Sequence, residues 1–231
     1  MTQARDRSKL QEDLALLYLR LNGFFVSSFI VHSPAFGKNK TEVDALALRM
    51  PYNAEPEREV NCDPLLDLTN PHTDLVICEV KSRGQPLQFN SALYGDTNAA
   101  LTVLRWTGLF KSCEAVSIAD KLSLALAPKS ASHEKPPTVC GPRDVRIRGL
   151  IFGPEHHGRR PNQPWFIAGD SIFRYLQVCL APKQPRELCA VTYDFSAWGP
   201  HEPIVRYVKS LPPDEVGCMK SLYSFVESEK S

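Results

Sequence analysis

The chain has 231 residues, of which 43% are hydrophobic and 23% are charged, a composition typical of a soluble globular protein. No apolar run approaches the roughly 18 residues that a membrane span requires, and the charged N-terminal stretch has no apolar signal segment, so we expect a cytoplasmic protein without membrane contact. The net charge of +1 provides no global basic field for nucleic acid, and seven scattered cysteines without a CxxC spacing argue against a disulfide framework and a structural zinc site.

The first predicted element is an amphipathic helix over residues 7–22, ended by Gly23. Two carboxylates, Glu12 and Asp13, lie in its early part. A carboxylate at such a position is ordinarily a solvated group or one that complements the helix dipole.

A predicted hairpin follows this helix. Residues 24–36 are rich in aromatic and branched side chains, residues 37–40 form a polar turn, and TEVDALALR (41–49) has the pattern of a second strand. Asp44 lies within that second strand. Glu42 shares its strand face, so Glu42 is a conceivable substitute for Asp44 as a ligand. Residues 50–73 contain four prolines and little periodicity, which indicates a long loop.

The third predicted strand is DLVICEVKSR (74–83), and it ends in charged side chains. Alternate residues of a strand share a face, so Glu79, Lys81 and Arg83 point the same way. Buried charges are costly unless they are paired or bind a metal. A strand that ends in EVK is by itself usually a solvated strand end, and Arg83 suits an ion pair as well as a phosphate contact.

Carboxylates on two neighbouring strands suit a magnesium site. Mg²⁺ prefers hard oxygen ligands and keeps several waters, which two carboxylates and a backbone carbonyl allow. A nearby lysine can hold or deprotonate the attacking water, or offset charge that builds on a phosphate.

Asp44 and the tripeptide Glu79, Val80, Lys81 resemble the Asp and Glu-X-Lys of the PD-(D/E)XK nuclease superfamily, and the order of one helix, three strands and a helix is similar to its αβββα core. The resemblance implies an α/β fold in which helices flank a central mixed β-sheet, as in restriction endonucleases. It also implies Mg²⁺, with Mn²⁺ as a substitute, bound by Asp44, Glu79 and the carbonyl of Val80, and a catalytic role for Lys81.

Two further positions follow from the same resemblance. In many relatives a glutamate of the first helix reaches the metal, which here corresponds to Glu12, with Asp13 as the neighbour it could be confused with. A glutamine soon after the Glu-X-Lys strand often orients the site, and both Gln85 and Gln88 qualify by position.

The second half of the chain predicts helices over 91–110, 114–126, 166–180 and 214–227, and strands over 144–153, 188–193 and 204–208. We expect a nuclease-like core over 1–153 and an α+β extension over 154–231 packed on it. In strand 144–153 the arginines alternate with apolar residues. This pattern predicts a buried apolar face and an exposed basic face.

A basic cluster surrounds that strand, and its members are Arg143, Arg146, Arg148, Arg159 and Arg160. Together with Arg83 they are predicted to contact the phosphate backbone of a nucleic acid, and a solvated surface loop is the alternative. The predicted function is a metal-dependent endonuclease that hydrolyses DNA, with a homodimer implied by the resemblance. The alternative is a non-catalytic nucleic-acid-binding or assembly module that retains the nuclease-like fold.

Overall fold

The computed structural model describes residues 2–32, 39–54, 60–68, 72–128, 136–158, 165–181, 194–212 and 214–229. Its strands are Phe25–His32 (β1), Asn39–Arg49 (β2), Thr73–Val80 (β3), Thr138–Cys140 (β4), Val145–Gly153 (β5) and Phe166–Ala168 (β6). Its α-helices are Thr2–Leu21 (α1), Ser91–Gly95 (α2), Thr97–Trp106 (α3), Ser112–Leu126 (α4), Gly169–Leu180 (α5), Glu202–Ser210 (α6) and Met219–Glu229 (α7).

The strands form one mixed sheet in the order β1-β2-β3-β5-β4, with β6 paired to β5. The pairs β1–β2, β2–β3 and β4–β5 are antiparallel, whereas β3–β5 and β5–β6 are parallel. A parallel pair requires a long crossover, and α2, α3 and α4 lie in the connection between β3 and β5. The predicted α/β class and mixed sheet flanked by helices are confirmed.

Alternation along β3 divides the core between the two faces of the sheet. Val76 and Cys78 pack in a cluster with α1, α5, α6 and α7, whereas Leu75 and Ile77 pack in a second cluster with α2, α3 and α4. Because both faces are covered, a central strand such as β3 has a nearly continuous apolar sequence. The charged end of β3 therefore stands out within the sheet.

The C-terminal third contributes directly to this architecture. β6 extends the sheet beside β5, and residues of α5, α6 and α7 share one core cluster with α1. The predicted division at 153/154 stays a prediction. None of the described helices is long and apolar enough to cross a membrane.

One predicted element is wrong in type, and another begins later than predicted. Residues 204–208, predicted as a strand, lie within α6, which begins with a proline in its first turn and buries four residues at helical spacing: Ile204, Val205, Tyr207 and Val208. The predicted helix over 166–180 begins only at Gly169, because Phe166–Ala168 pairs with β5 as β6. The predicted strand 188–193 lies outside the described residues.

Candidate functional site

A polar cleft of about 440 Å³ lies at the C-terminal end of β3. Glu12 of α1, Asp44 of β2, Glu79 of β3 and Lys81, which follows β3, all line it. Val80 lines it as well. The structure thus brings the four predicted catalytic side chains from separate parts of the chain to one cleft.

A bulge in β2 positions Asp44. Between the pairs Ser27↔Leu46 and Phe29↔Val43, β1 advances by two residues and β2 by three, so Asp44 and Ala45 together lie opposite Ser28. Such a bulge bends the strand and re-aims a side chain. Asp44 Oδ2 accepts a hydrogen bond of 2.7 Å from the backbone N–H of Val80, which ties the carboxylate to the end of β3.

Glu79 and Lys81 form an ion pair at that same end. Lys81 Nζ donates to Glu79 Oε2 at 2.6 Å, and Glu79 is only 2% exposed. The other oxygen, Oε1, accepts from the backbone N–H of Asn90 at 3.3 Å. The backbone N–H of Lys81 donates to the carbonyl of Phe152 at 2.8 Å, which fixes the start of the segment that follows β3.

The electrostatics of the cleft favour a cation. Burial raises the pKa of Glu12, and the negative charge of Asp44 raises it further. Burial also raises the pKa of Asp44, and the hydrogen bond from Val80 opposes that shift. Burial raises the pKa of Glu79 as well, and the charge of Lys81 opposes it. A bound cation would stabilise the ionised form of each carboxylate.

The cleft offers few donor atoms to a metal. Among the described residues, no group of three or more His, Cys, Asp or Glu side chains is arranged to hold a metal ion. Mg²⁺, however, is commonly bound through one or two carboxylates and keeps several waters. Asp44, Glu79 and Val80 all line the cleft, and two carboxylates with a peptide carbonyl are hard oxygen donors whose chemistry fits such a hydrated ion.

The structure also distinguishes the alternative positions. Asp13 accepts from Lys9 Nζ at 2.7 Å and does not line the cleft, unlike its neighbour Glu12. Gln85 lines the cleft and accepts from the backbone N–H of Ser82 at 2.9 Å, whereas Gln88 is exposed outside it. Glu42 is exposed and lines the cleft.

The arginines of β5 lie at the opposite end of the sheet, beside Asp74 near the start of β3. Arg146 donates to both carboxylate oxygens of Asp74, at 2.7 and 2.8 Å. Arg148 donates to the carbonyl of Leu66 at 2.6 Å, and its Nε lies 3.1 Å from Asp74 Oδ1, close enough for an ion pair but without hydrogen-bond geometry.

The predicted exposed basic face of β5 is therefore wrong. Arg148 is only 2% exposed, because β5 lies inside the sheet and helices cover both of its faces. With their guanidinium groups held by Asp74 inside the fold, Arg146 and Arg148 have a structural role that does not support the predicted phosphate contacts.

The remaining predicted phosphate contacts differ in their surroundings. Arg143 forms two bonds of 3.0 Å with Glu114, and these lower the pKa of Glu114 to about 2. Arg159 and Arg160 lie outside the described residues. Arg83 is exposed and lies two residues after Lys81. Its side chain forms no ion pair within the described part of the chain.

Asn90 is a site residue that the sequence analysis missed. It caps α2 by accepting a hydrogen bond of 3.1 Å from the backbone N–H of Ala92, while its own N–H binds Glu79. An asparagine directly before a helix is a recognisable N-cap signal. That signal predicts the start of α2, but not the contact with Glu79.

Comparison with known proteins finds no matching family model, and no similar curated protein or solved structure. A fold alone does not define an activity, so the function of this chain has to be argued from the side chains of the cleft.

Proposed function

We propose that the protein is a metal-dependent nuclease that hydrolyses phosphodiester bonds in DNA, with the restriction-endonuclease-like fold of the PD-(D/E)XK superfamily. The observation that carries the proposal is the convergence of Glu12, Asp44, Glu79 and Lys81 on one polar cleft. The order of α1, three antiparallel strands and a helical crossover to a parallel strand agrees with that fold.

The metal is Mg²⁺, or Mn²⁺ in its place, held by Asp44, Glu79 and the carbonyl of Val80. When bound there, such an ion polarises a phosphoryl oxygen and lowers the pKa of a coordinated water. The bulge in β2 and the bond from Val80 hold the Asp44 carboxylate in place before the ion arrives. The Asp44 carboxylate therefore needs little rearrangement on metal binding.

Lys81 places a positive charge of the protein itself at the cleft. Its ammonium is held at 2.6 Å from Glu79, from which it can donate to an attacking water or to a phosphate oxygen. Charge that develops on the phosphate in the transition state is stabilised most by donors that are already in place. Glu12 lines the same cleft, where its carboxylate can accept a hydrogen bond from the attacking water.

Substrate binding requires positive charge outside the acidic cleft. Arg83 is exposed and lies two residues after Lys81, which lines the cleft. It is therefore the described arginine best placed to meet a phosphate. DNA affinity comes mainly from such backbone contacts. The homodimer stays a prediction, which sedimentation velocity at micromolar concentration checks.

The test compares Asp44→Ala and Lys81→Ala with the unchanged protein. Nicking of supercoiled DNA in Mg²⁺ or Mn²⁺ should be abolished by Asp44→Ala, which removes a ligand, and should slow by about 10²–10³-fold in Lys81→Ala, which removes a transition-state donor. DNA affinity measured in Ca²⁺ should be unchanged in both variants, since phosphate contacts lie elsewhere.

Lys9→Ala is the matched control, because Lys9 also pairs with a carboxylate but lies outside the cleft. It should cleave at the normal rate, and EDTA should stop cleavage in every case. A well-folded protein that cleaves no form of DNA would refute the nuclease proposal.

A second candidate function is a non-catalytic nucleic-acid-binding module with the same fold. The specific observation in its favour is that the Lys81–Glu79 pair and the Val80–Asp44 bond satisfy the charged strand end without a metal. In that case all variants bind DNA equally, none cleaves it, and Mg²⁺ does not change the melting temperature.

A further inference from the structure

The segment that follows Lys81 is a compact turn at the edge of the cleft. Within it, the backbone N–H of Ser82 donates to Gln85 Oε1 at 2.9 Å, and the N–H of Gln85 donates back to the carbonyl of Ser82 at 3.1 Å. We call residues 82–85 the cleft turn. Lys81 directly precedes the turn, so a shift of the turn would move the backbone that carries the Lys81 side chain.

Side chains from three other parts of the chain hold this turn. Ser82 Oγ donates to Gln11 Oε1 at 3.2 Å, and Gln11 Nε2 donates to the Tyr223 hydroxyl at 2.8 Å. The Tyr223 hydroxyl donates to Glu155 Oε1 at 3.1 Å, and Glu155 Oε2 accepts from the backbone N–H of Arg83 at 2.8 Å. These bonds close a loop through α1, α7 and the segment that follows β5, which we call the Tyr223 network.

Two members of the network are buried, and each of its bonds joins a donor to an acceptor. Gln11 is 3% exposed and Tyr223 is 8% exposed, so neither can replace a lost partner with bulk water at low cost. Arg7 lies over the Tyr223 ring at 4.9 Å and pairs with Glu227 at 2.8 Å, which fixes the ring on α7. Without the hydroxyl, the Gln11 amide and one Glu155 oxygen would each lose a partner.

We infer that Tyr223 is a positioning residue: through Gln11 and Glu155, its hydroxyl holds the cleft turn, and with it Lys81, against α1. Gln11 directly precedes Glu12, so the same network fixes both sides of the cleft. The effect on catalysis rests on the proposed nuclease function, whereas the effect on the cleft turn does not.

The experiment is the substitution Tyr223→Phe, which removes only the hydroxyl. We expect kcat for DNA cleavage in Mg²⁺ to fall about tenfold or more, with KM for DNA unchanged, because a small misplacement of a catalytic group is costly to the chemical step. Backbone amides of residues 82–85 should exchange faster with solvent. Gln11→Leu should have the same effects, and the double variant should be no worse than either single one, because the two residues act as a unit.

Tyr207→Phe is the matched control. Tyr207 is 3% exposed, and its hydroxyl bonds to Ser221 and to the N–H of Cys218 at the start of α7, outside the network. This control should leave kcat and the exchange of residues 82–85 unchanged. If Tyr223→Phe fails to fold, Glu155→Gln, which keeps the tyrosine ring, replaces it with the same expected results.

The outcomes separate the two proposals. Normal kcat and normal exchange in Tyr223→Phe, or equal losses in Tyr207→Phe, would overturn the positioning role. A wild-type protein that never cleaves refutes the nuclease and with it any catalytic positioning, while faster exchange in Tyr223→Phe would still establish that Tyr223 holds the cleft turn.

Discussion

Asp44 and Asp74 lie on neighbouring strands, and their surroundings give them different roles. Asp74 is fully buried and its charge is balanced by Arg146 and Arg148 of the same fold. Asp44 has a backbone N–H as its hydrogen-bond partner, Glu12 and Glu79 as negatively charged neighbours, and Lys81 as a positively charged one. A buried charge needs compensation. Two guanidinium groups supply it at Asp74, whereas at the cleft one ammonium group faces three carboxylates, to which a bound cation would add positive charge.

His201 provides a prediction about pH at the scale of a single residue. Burial lowers its pKa below the ordinary 6.5, aided by Arg20 and Lys9 and opposed by Asp13. Below about pH 6.5 the unfolded chain therefore binds more protons at this position than the folded protein does. The contribution of His201 to the free energy of unfolding should fall as the pH decreases from 6.5 to 5, and urea denaturation of the unchanged protein and of a His201 variant at several pH values measures it.

His201→Gln should flatten this pH dependence. His157→Gln, at an exposed position, serves as the control and should leave it unchanged. An identical dependence in the unchanged protein and in His201→Gln would show that other groups cause it.

Among the elements, β3 was predictable and α6 was not. The apolar run of β3 and its charged end follow from local alternation, and the chemistry of Glu79 and Lys81 is visible in the sequence itself. The segment 204–208, in which four apolar residues flank Arg206, is too short to distinguish a strand from a helix by periodicity, and packing against α5 and the core decides in favour of the helix. The bulge at Asp44 and Ala45 has no local sequence signal, because it exists only relative to Ser28 on β1.

Gly149 of β5 supports a prediction at the scale of elements. A Cβ atom at this position would lie 2.6 Å from both Leu126 Cδ2 and Phe89 Cζ. Phe89 precedes Asn90, whose N–H binds Glu79. Gly149→Ala should therefore lower the free energy of unfolding by about 1–3 kcal/mol and should also slow cleavage, as measured by denaturation and nicking assays.

Gly95→Ala is the corresponding control, since a Cβ atom there meets nothing within 4 Å. Its free energy of unfolding should stay the same or rise slightly, because alanine reduces the freedom of the unfolded chain. Equal stability of the two variants would mean that Phe89 and Leu126 relax without cost.

For the molecule as a whole, the sheet separates a structural charge cluster from the proposed catalytic one. Asp74 and Glu79 are five residues apart on β3, or roughly 17 Å at 3.3 Å per residue. The pairing of Arg146 with Asp74 joins residues 72 positions apart, so no local pattern could predict it. For this reason the alternating arginines of β5 suggested an exposed basic face that the fold does not have.

This distribution of charge predicts different effects of two arginines on DNA binding. Arg83→Ala should weaken binding in Ca²⁺ and reduce the slope of log K against log salt by about one unit, as expected for one lost phosphate contact. Arg143→Ala should leave the slope unchanged, because Glu114 already binds that guanidinium. Equal slopes for both variants would exclude Arg83 as a phosphate contact.

The Tyr223 network also sets an order of events during protein synthesis. The bond from Gln11 to Tyr223 joins residues 212 positions apart, whereas every residue that lines the cleft belongs to the first 90. A nascent chain that has not yet reached α7 therefore contains the whole cleft lining but lacks its support. Contacts between such distant residues form late, when the segments between them are already in place. The proposed activity should accordingly reach its full level only after α7 has left the ribosome.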